Sequence, residues 1–105
     1  MISRREADPY LSALRSAAQG LRRLDYAAGE ALERARYNVY LALDVQDAMA
    51  AHRWILALTA AAAAADAYAA AAPRGREGIM AGRLAAVIRS AVEALERGIG
   101  EETGA

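Results

Sequence analysis

The sequence predicts an all-α fold, an antiparallel helical bundle of three long helices, or of four if the first one breaks. No segment shows the alternation of apolar and polar residues that is typical of a strand. Alanine, leucine, arginine and glutamate dominate, and apolar residues recur at spacings of three and four. The two prolines fall where predicted helices begin or end. We therefore expect one helical-bundle domain over 1–105.

The first predicted helix begins at Asp8-Pro9, with Asp8 as N-cap and Pro9 at the first helical position. Gly29 could end this helix, which would give a bundle of four. No loop-forming residues surround that glycine, so we expect a single element over 9–43 that bends near 28–30. Its apolar residues are Leu11, Leu14, Ala18, Leu21, Ala28, Leu32, Ala35 and Val39.

The second predicted helix covers 45–72. Asp44 is its N-cap candidate, and Asp47 follows three residues later in a pattern resembling a capping box. Pro73, followed by Gly75 in the segment PRGREG, ends this helix.

The last predicted helix covers 78–98 and ends at Gly98 and Gly100. We expect a flexible tail over 99–105.

The stretch TAAAAAADAYAAAA (59–72) contains eleven alanines, which form a packing surface for large side chains. If 45–72 and 78–98 form an antiparallel hairpin, facing positions sum to about 150. The predicted pairs are Ala62 with Ile88, Ala63 with Val87, Ala70 with Met80, Asp66 with Leu84 beside Arg83, and Tyr68 with Gly82. The alternative for Asp66 is a carboxylate that faces solvent and keeps an alanine helix soluble.

Composition limits the function classes. Thirteen arginines balance thirteen acids, there is no lysine, and the absence of cysteine excludes disulfides, thiolate metal sites and cysteine nucleophiles. Alanine buries little area, so the core is thin for a monomer and packing against a partner would stabilise it.

No residue pattern predicts catalysis, a metal or a cofactor, so we expect a protein that is not an enzyme. His52 is the only histidine, and the positions three and four residues before it, Met49 and Ala48, are not acids. A di-iron bundle is therefore excluded. One alternative remains, a bundle that holds a cofactor such as haem through His52.

Two segments are locally basic in this neutral chain. The candidate contacts to phosphate or to an acidic partner are Arg15, Arg22, Arg23, Arg74 and Arg76. The candidate docking anchors are Tyr37, Tyr40 and Trp54, because aromatic side chains are favoured at interfaces.

In size and helicity the chain is similar to the small helical subunits of CRISPR effector complexes. This resemblance implies a subunit of a ribonucleoprotein, in a defence or phage setting, that binds the nucleic-acid backbone.

The leading hypothesis is a non-enzymatic subunit or adaptor that docks through helix faces into a homo-oligomer or a larger assembly. Residues 54–72 are long enough to span a membrane, but Asp66 near their middle would be costly there. We therefore expect a cytoplasmic protein with a protein partner or a second copy, nucleic acid as the alternative, and no membrane partner.

Overall fold

The computed structural model describes residues 1–100, which form four α-helices and no strand. In chain order the helices are α1 (Arg4–Arg22), α2 (Tyr26–Asp44), α3 (Ala48–Ala71) and α4 (Arg76–Gly100). Each helix packs against its neighbours in sequence, and α4 closes the ring against α1. The short connections make neighbouring helices antiparallel. The predicted all-α bundle is confirmed, in its four-helix form.

The break between α1 and α2 lies at Arg23–Asp25, so the expectation of one bent helix over 9–43 is wrong. Asp25 is the N-cap of α2, and its side chain accepts a hydrogen bond from the Ala28 amide at 3.0 Å. Gly29 lies inside α2, where a Cβ would stand 2.6 Å from the Arg22 amide nitrogen. This glycine allows close approach of the two helix ends and does not break a helix.

The first helix begins five residues before the predicted start. Ser3 is its N-cap and forms a capping box with Glu6. Each side chain accepts a hydrogen bond from the other residue's backbone amide, with an N···O distance of 3.1 Å in both cases. Pro9 lies inside α1, so the prediction that Asp8-Pro9 begins a helix is wrong.

Helix α3 begins three residues after its predicted start at residue 45. Asp44 is the last residue of α2, and Asp47 is the N-cap of α3, where it accepts a hydrogen bond from the Ala50 amide at 3.1 Å. Gln46 adopts a left-handed backbone conformation, with φ of 56°, and its side chain donates to the Leu43 carbonyl at 2.8 Å.

The ends of the last two helices are partly as predicted. Helix α3 ends at Ala71, just before Pro73, but α4 begins at Arg76 and continues through Gly98. The Ile2 amide donates to the Gly98 carbonyl at 2.8 Å, so the N-terminal segment packs against the end of α4. Ile99, expected in the tail, is helical and buried; 101–105 lie outside the described residues.

The core is built largely from small side chains. Half of the buried apolar residues are alanines, and no polar or charged residue is buried within 1–100. Alanines let the helix axes approach closely, and the larger side chains fill the space between them. The largest fully buried side chains are Leu14, Leu21, Leu32, Leu43, Leu58, Ile88, Leu95, Ile99 and Val39.

Candidate docking surface

Helix α3 is apolar on two opposite faces. Its inner face is buried and carries Ala51, Ile55, Leu58, Ala62 and Ala65. About 180° around the helix, a second row at spacings of three and four is exposed. This row, called here the outer face of α3, consists of Met49, Arg53, Leu56, Ala60, Ala63, Ala67 and Ala70.

The outer face of α3 exposes large apolar side chains. Met49 is 76% exposed and Leu56 is 73% exposed, and Val45 just before the helix is 72% exposed. Arg53 is the only charged residue of the row. A contiguous apolar surface of this kind marks an interaction site more often than an isolated exposed leucine does.

Length and composition also make α3 the one helix within residues 1–100 that could cross a membrane. Only 28% of its most apolar window is buried in the bundle. Core helices of soluble proteins pass the same test of length and composition.

A groove of about 640 Å³ adjoins the outer face at the end where α3 begins. Its walls come from α3 and α4, and its lining includes Met49, His52, Leu56 and Glu96. The buried Nε2 atom of His52 has no hydrogen-bond partner among the described residues. The groove therefore combines apolar side chains with the Glu96 carboxylate, the Arg53 guanidinium and the His52 ring, and we call it the His52 groove.

The described residues contain no group of three His, Cys, Asp or Glu side chains that could hold a metal ion. Glu96 is the one residue of these types that lines the groove with His52, and His52 is the residue that could ligate a haem group there.

The predicted packing of α3 on α4 is correct in outline. Ala62 and Ile88 are both fully buried, and a Cβ on Gly82 would stand 3.9 Å from the Ala69 Cβ. The approach of Gly82 to Ala69 lies within one residue of the predicted sum of 150. The predicted pairs of Ala63 with Val87 and of Ala70 with Met80 are not buried, since all four residues are exposed.

The two polar residues in the alanine run bond to residues of α4 that the predicted register did not name. Asp66 forms an ion pair with Arg89, not with Arg83, and the hydrogen bond from Arg89 lowers the pKa of the Asp66 carboxyl. The Tyr68 hydroxyl donates a hydrogen bond to Glu77 at 3.2 Å. Long side chains on the flanks of two helices reach along the helix axes, so the nearest facing residue is not the bonding partner.

The candidate arginines do not form one basic surface. Arg22 pairs with Glu30 at 2.7 Å. Arg23 and Arg74 are exposed in two different turns, and Arg76 is exposed at the start of α4. Arg15 lies on α1 and lines a shallow groove with side chains of α2, which is described next.

The aromatic candidates divide into exposed and packed residues. Tyr37 and Tyr40 stack with ring centroids 6.1 Å apart and border the shallow groove that Arg15 and Arg36 complete. Tyr37 is 51% exposed, whereas Tyr40 and Trp54 are half-buried against the core. The sequence placed Arg15 and the tyrosines on separate surfaces, and the pairing of α1 with α2 brings them together.

Comparison of the chain with models of protein families, with curated proteins and with solved structures gives no match. The functional argument therefore rests on the fold and on the surfaces described above.

Proposed function

We propose that this protein is a small helical docking subunit that binds a protein partner through the outer face of α3 and performs no catalysis. The observation that carries this proposal is the exposed row from Met49 to Ala70, which is apolar along a helix whose other face already fills the core. A helix that only stabilised its own bundle would carry polar residues on that side.

The energetics favour a partner over solvent. Removing a Leu or Met side chain from water contributes roughly 1.5–3 kcal/mol, and Met49 and Leu56 are both about three-quarters exposed. The alanines between them add little area, but they allow a partner helix to approach closely. The outer face carries large side chains at one end and small ones at the other, so a partner must match its shape as well as its apolar character.

Charged or polar substitutions on the outer face test this proposal. Ala63→Arg and Leu56→Gln should abolish recovery of a partner when the tagged protein is isolated from the cells that produce it naturally. The matched controls are Ala27→Arg and Leu41→Gln, at exposed positions of α2, and they should retain the partner. Circular dichroism should show the same helix content in all four variants, because the substituted sites are exposed.

Equal recovery of one partner by wild type and by both outer-face variants would place the docking site elsewhere. A wild-type protein that neither recovers a partner nor associates with itself would remove the proposal.

A second candidate function is binding of a nucleic-acid backbone, and one observation favours it. Arg15 lies beside the stacked Tyr37 and Tyr40, and a cation next to the exposed ring of Tyr37 suits single-stranded nucleic acid. Glu33 engages Arg36 at 2.6 Å and reduces the positive charge there. Affinity for a single-stranded oligonucleotide should fall steeply with salt and fall again in Arg15→Ala. Binding insensitive to both would exclude this function.

A third candidate is a bundle that holds a cofactor through His52. The unpartnered Nε2 atom beside a groove of about 640 Å³ is the observation in its favour. Titration with haem should then give an absorbance change that His52→Ala abolishes, and an unchanged spectrum would dismiss this candidate.

A further inference from the structure

Resting on the docking function proposed above, we infer that the partner of the outer face is a second copy of this chain, with the two α3 helices packed antiparallel. The relevant features are the order of large and small residues along the face, the distribution of charge between its two ends, and the area that it can bury.

The outer face is complementary to its own reverse. Met49 and Leu56 lie in the first half of α3, whereas Ala63, Ala67 and Ala70 lie in the second half. The spacings of three and four match the seam of a coiled coil, in which antiparallel partners face each other across the two seam positions. One register of this seam has facing positions that sum to 123, with residues 53–70 facing one another across the two-fold axis. It pairs Leu56 with Ala67, Ala60 with Ala63 and Arg53 with Ala70.

A parallel arrangement would not match sizes in this way. It would place Met49 on Met49 and Leu56 on Leu56 at one end, and alanine on alanine at the other. The antiparallel register places Arg53 and Leu56 over alanines, which is how helix pairs reach native packing density. A size match of this kind also makes the interface isologous, as in the common two-fold dimers.

The charges near the two ends of the outer face also favour the antiparallel arrangement. Glu96 lines the His52 groove beside Met49 at the start of α3, and Arg74 is exposed in the turn just beyond the end of α3. The register that sums to 123 brings the second copy's Arg74 opposite Met49, at the His52 groove. Because the two-fold axis repeats the contact, each dimer would hold two such pairs of opposite charge.

The surface area that the two outer faces can bury against each other predicts a reversible dimer. Helix α3 has 24 residues, so it is about 36 Å long. A contact strip about 10 Å wide would bury on the order of 700 Å² in total, to which the walls of the His52 groove add. Stable interfaces bury about 1,200–2,000 Å². We therefore expect a dissociation constant in the micromolar range.

Sedimentation equilibrium of the full chain measures this association directly. Wild type should pass from monomer to dimer between about 1 and 500 µM. Ala63→Arg should weaken the dimer at least about tenfold, because the two introduced arginines meet near the two-fold axis. Ala27→Arg, on the exposed side of α2, should leave the dissociation constant unchanged.

Engineered cysteines test the orientation, since the chain contains no natural cysteine. Leu56→Cys together with Ala67→Cys should form a covalent dimer under mild oxidation. Leu56→Cys alone should not, because the two copies of residue 56 would lie about 16 Å apart along the helices, beyond the roughly 7 Å that a disulfide spans.

A charge exchange tests the register. Glu96→Arg and Arg74→Glu should each weaken the dimer, and the double variant should regain most of the lost affinity. A double variant that is weaker than either single variant would overturn the contact between these residues and the register that sums to 123.

The remaining outcomes separate this inference from the docking function on which it rests. A covalent dimer from Leu56→Cys alone would overturn the antiparallel arrangement. A wild type that stays monomeric at 500 µM would overturn self-association. The docking function would survive if that monomer bound a different protein, or would be replaced by a membrane function if it sedimented with phosphatidylcholine–phosphatidylglycerol vesicles, provided that Ala63→Arg abolished the binding.

Discussion

Gly78 and Gly82 lie one turn apart on α4, and their surroundings predict opposite effects of an added methyl group. A Cβ on Gly78 would overlap the carbonyl oxygen of Ala72, which is backbone and cannot move aside easily. We expect Gly78→Ala to lower the free energy of unfolding by about 2 kcal/mol through overpacking. Chemical denaturation measures the change.

Gly82→Ala is the matched control for that substitution. Its Cβ would stand 3.9 Å from the Ala69 Cβ, an ordinary contact. Because alanine favours a helix interior by about 0.5–1 kcal/mol over glycine, this variant should be more stable than wild type. If both variants changed the free energy of unfolding in the same direction, this spacing of α3 and α4 would be contradicted.

The ion pair of Asp66 with Arg89 predicts a pH dependence. The hydrogen bond from Arg89 lowers the pKa of Asp66 below its ordinary value of 3.8. A carboxyl whose pKa is lowered by folding stabilises the fold above its unfolded pKa and loses that contribution as pH falls through the folded pKa.

Asp66→Asn should therefore reduce the Tm at pH 7 slightly, since both partners are about half exposed. The difference from wild type should shrink below pH 3.8 as the wild-type carboxyl takes up its proton. Thermal melts at pH 7 and at acid pH measure it, with Glu93→Gln on the exposed side of α4 as control. If the Tm of Asp66→Asn fell further below that of wild type as the pH was lowered, the ion pair would be contradicted.

At the scale of single residues, the sequence could predict which positions matter but not their partners. The interruption of the alanine run by Asp66 and Tyr68 predicted that both residues face the last helix. The choice of Arg89 over Arg83 depends on the rotation of α4 about its own axis, and local spacing does not determine that rotation. Met49 and Leu56 were missed as surface residues, although their spacing from Ala63 and Ala70 could have revealed a second apolar face.

At the scale of the helices, the caps determine where each element begins. At the start of α1, the side chains of Ser3 and Glu6 accept hydrogen bonds from each other's backbone amides. Ser3→Ala should lower the free energy of unfolding by about 1 kcal/mol. Ser12→Ala, at an exposed position inside the same helix, should be neutral or slightly stabilising because alanine is the better helix former. Urea denaturation of the two variants would show equal midpoints if Ser3 were no cap.

The helix type was predictable throughout, whereas the boundaries were not. Alanine and leucine at helical spacing leave no alternative to helix, but several Ser and Asp residues compete for each N-cap. Ser3 and Asp47 were passed over because a downstream Asp8-Pro9 and an upstream Asp44 fit local rules equally well. The packing of helix ends decides between such candidates: the Ile2 amide reaches Gly98, and this contact favours the earlier start of α1.

At the scale of the whole molecule, self-association would couple to stability. A native dimer is stabilised by mass action, so the Tm of wild type should rise as the protein concentration is increased from about 5 to 500 µM. The Tm of Ala63→Arg should rise less over the same range, because its dimer is weaker. Differential scanning calorimetry at several concentrations distinguishes the two, and a concentration-independent wild type would count against the dimer.

The overall architecture followed from composition and periodicity, because an alanine-rich chain with short connections has few alternatives to an up-and-down bundle. The outer face of α3 could not be predicted as a continuous surface from composition and periodicity. To recognise it, one must know which side of α3 the other three helices cover.

The hydrogen bond between Ile2 and Gly98 has a consequence for the connectivity of the chain. It brings the first residues of the bundle beside the last turn of α4, so the ring of helices is closed in space although the backbone is open there. A circularly permuted gene could therefore join these two ends through a short linker and open the chain at the exposed Arg74 instead. The four helices would then be translated in the order α4, α1, α2, α3 and would still assemble the same ring.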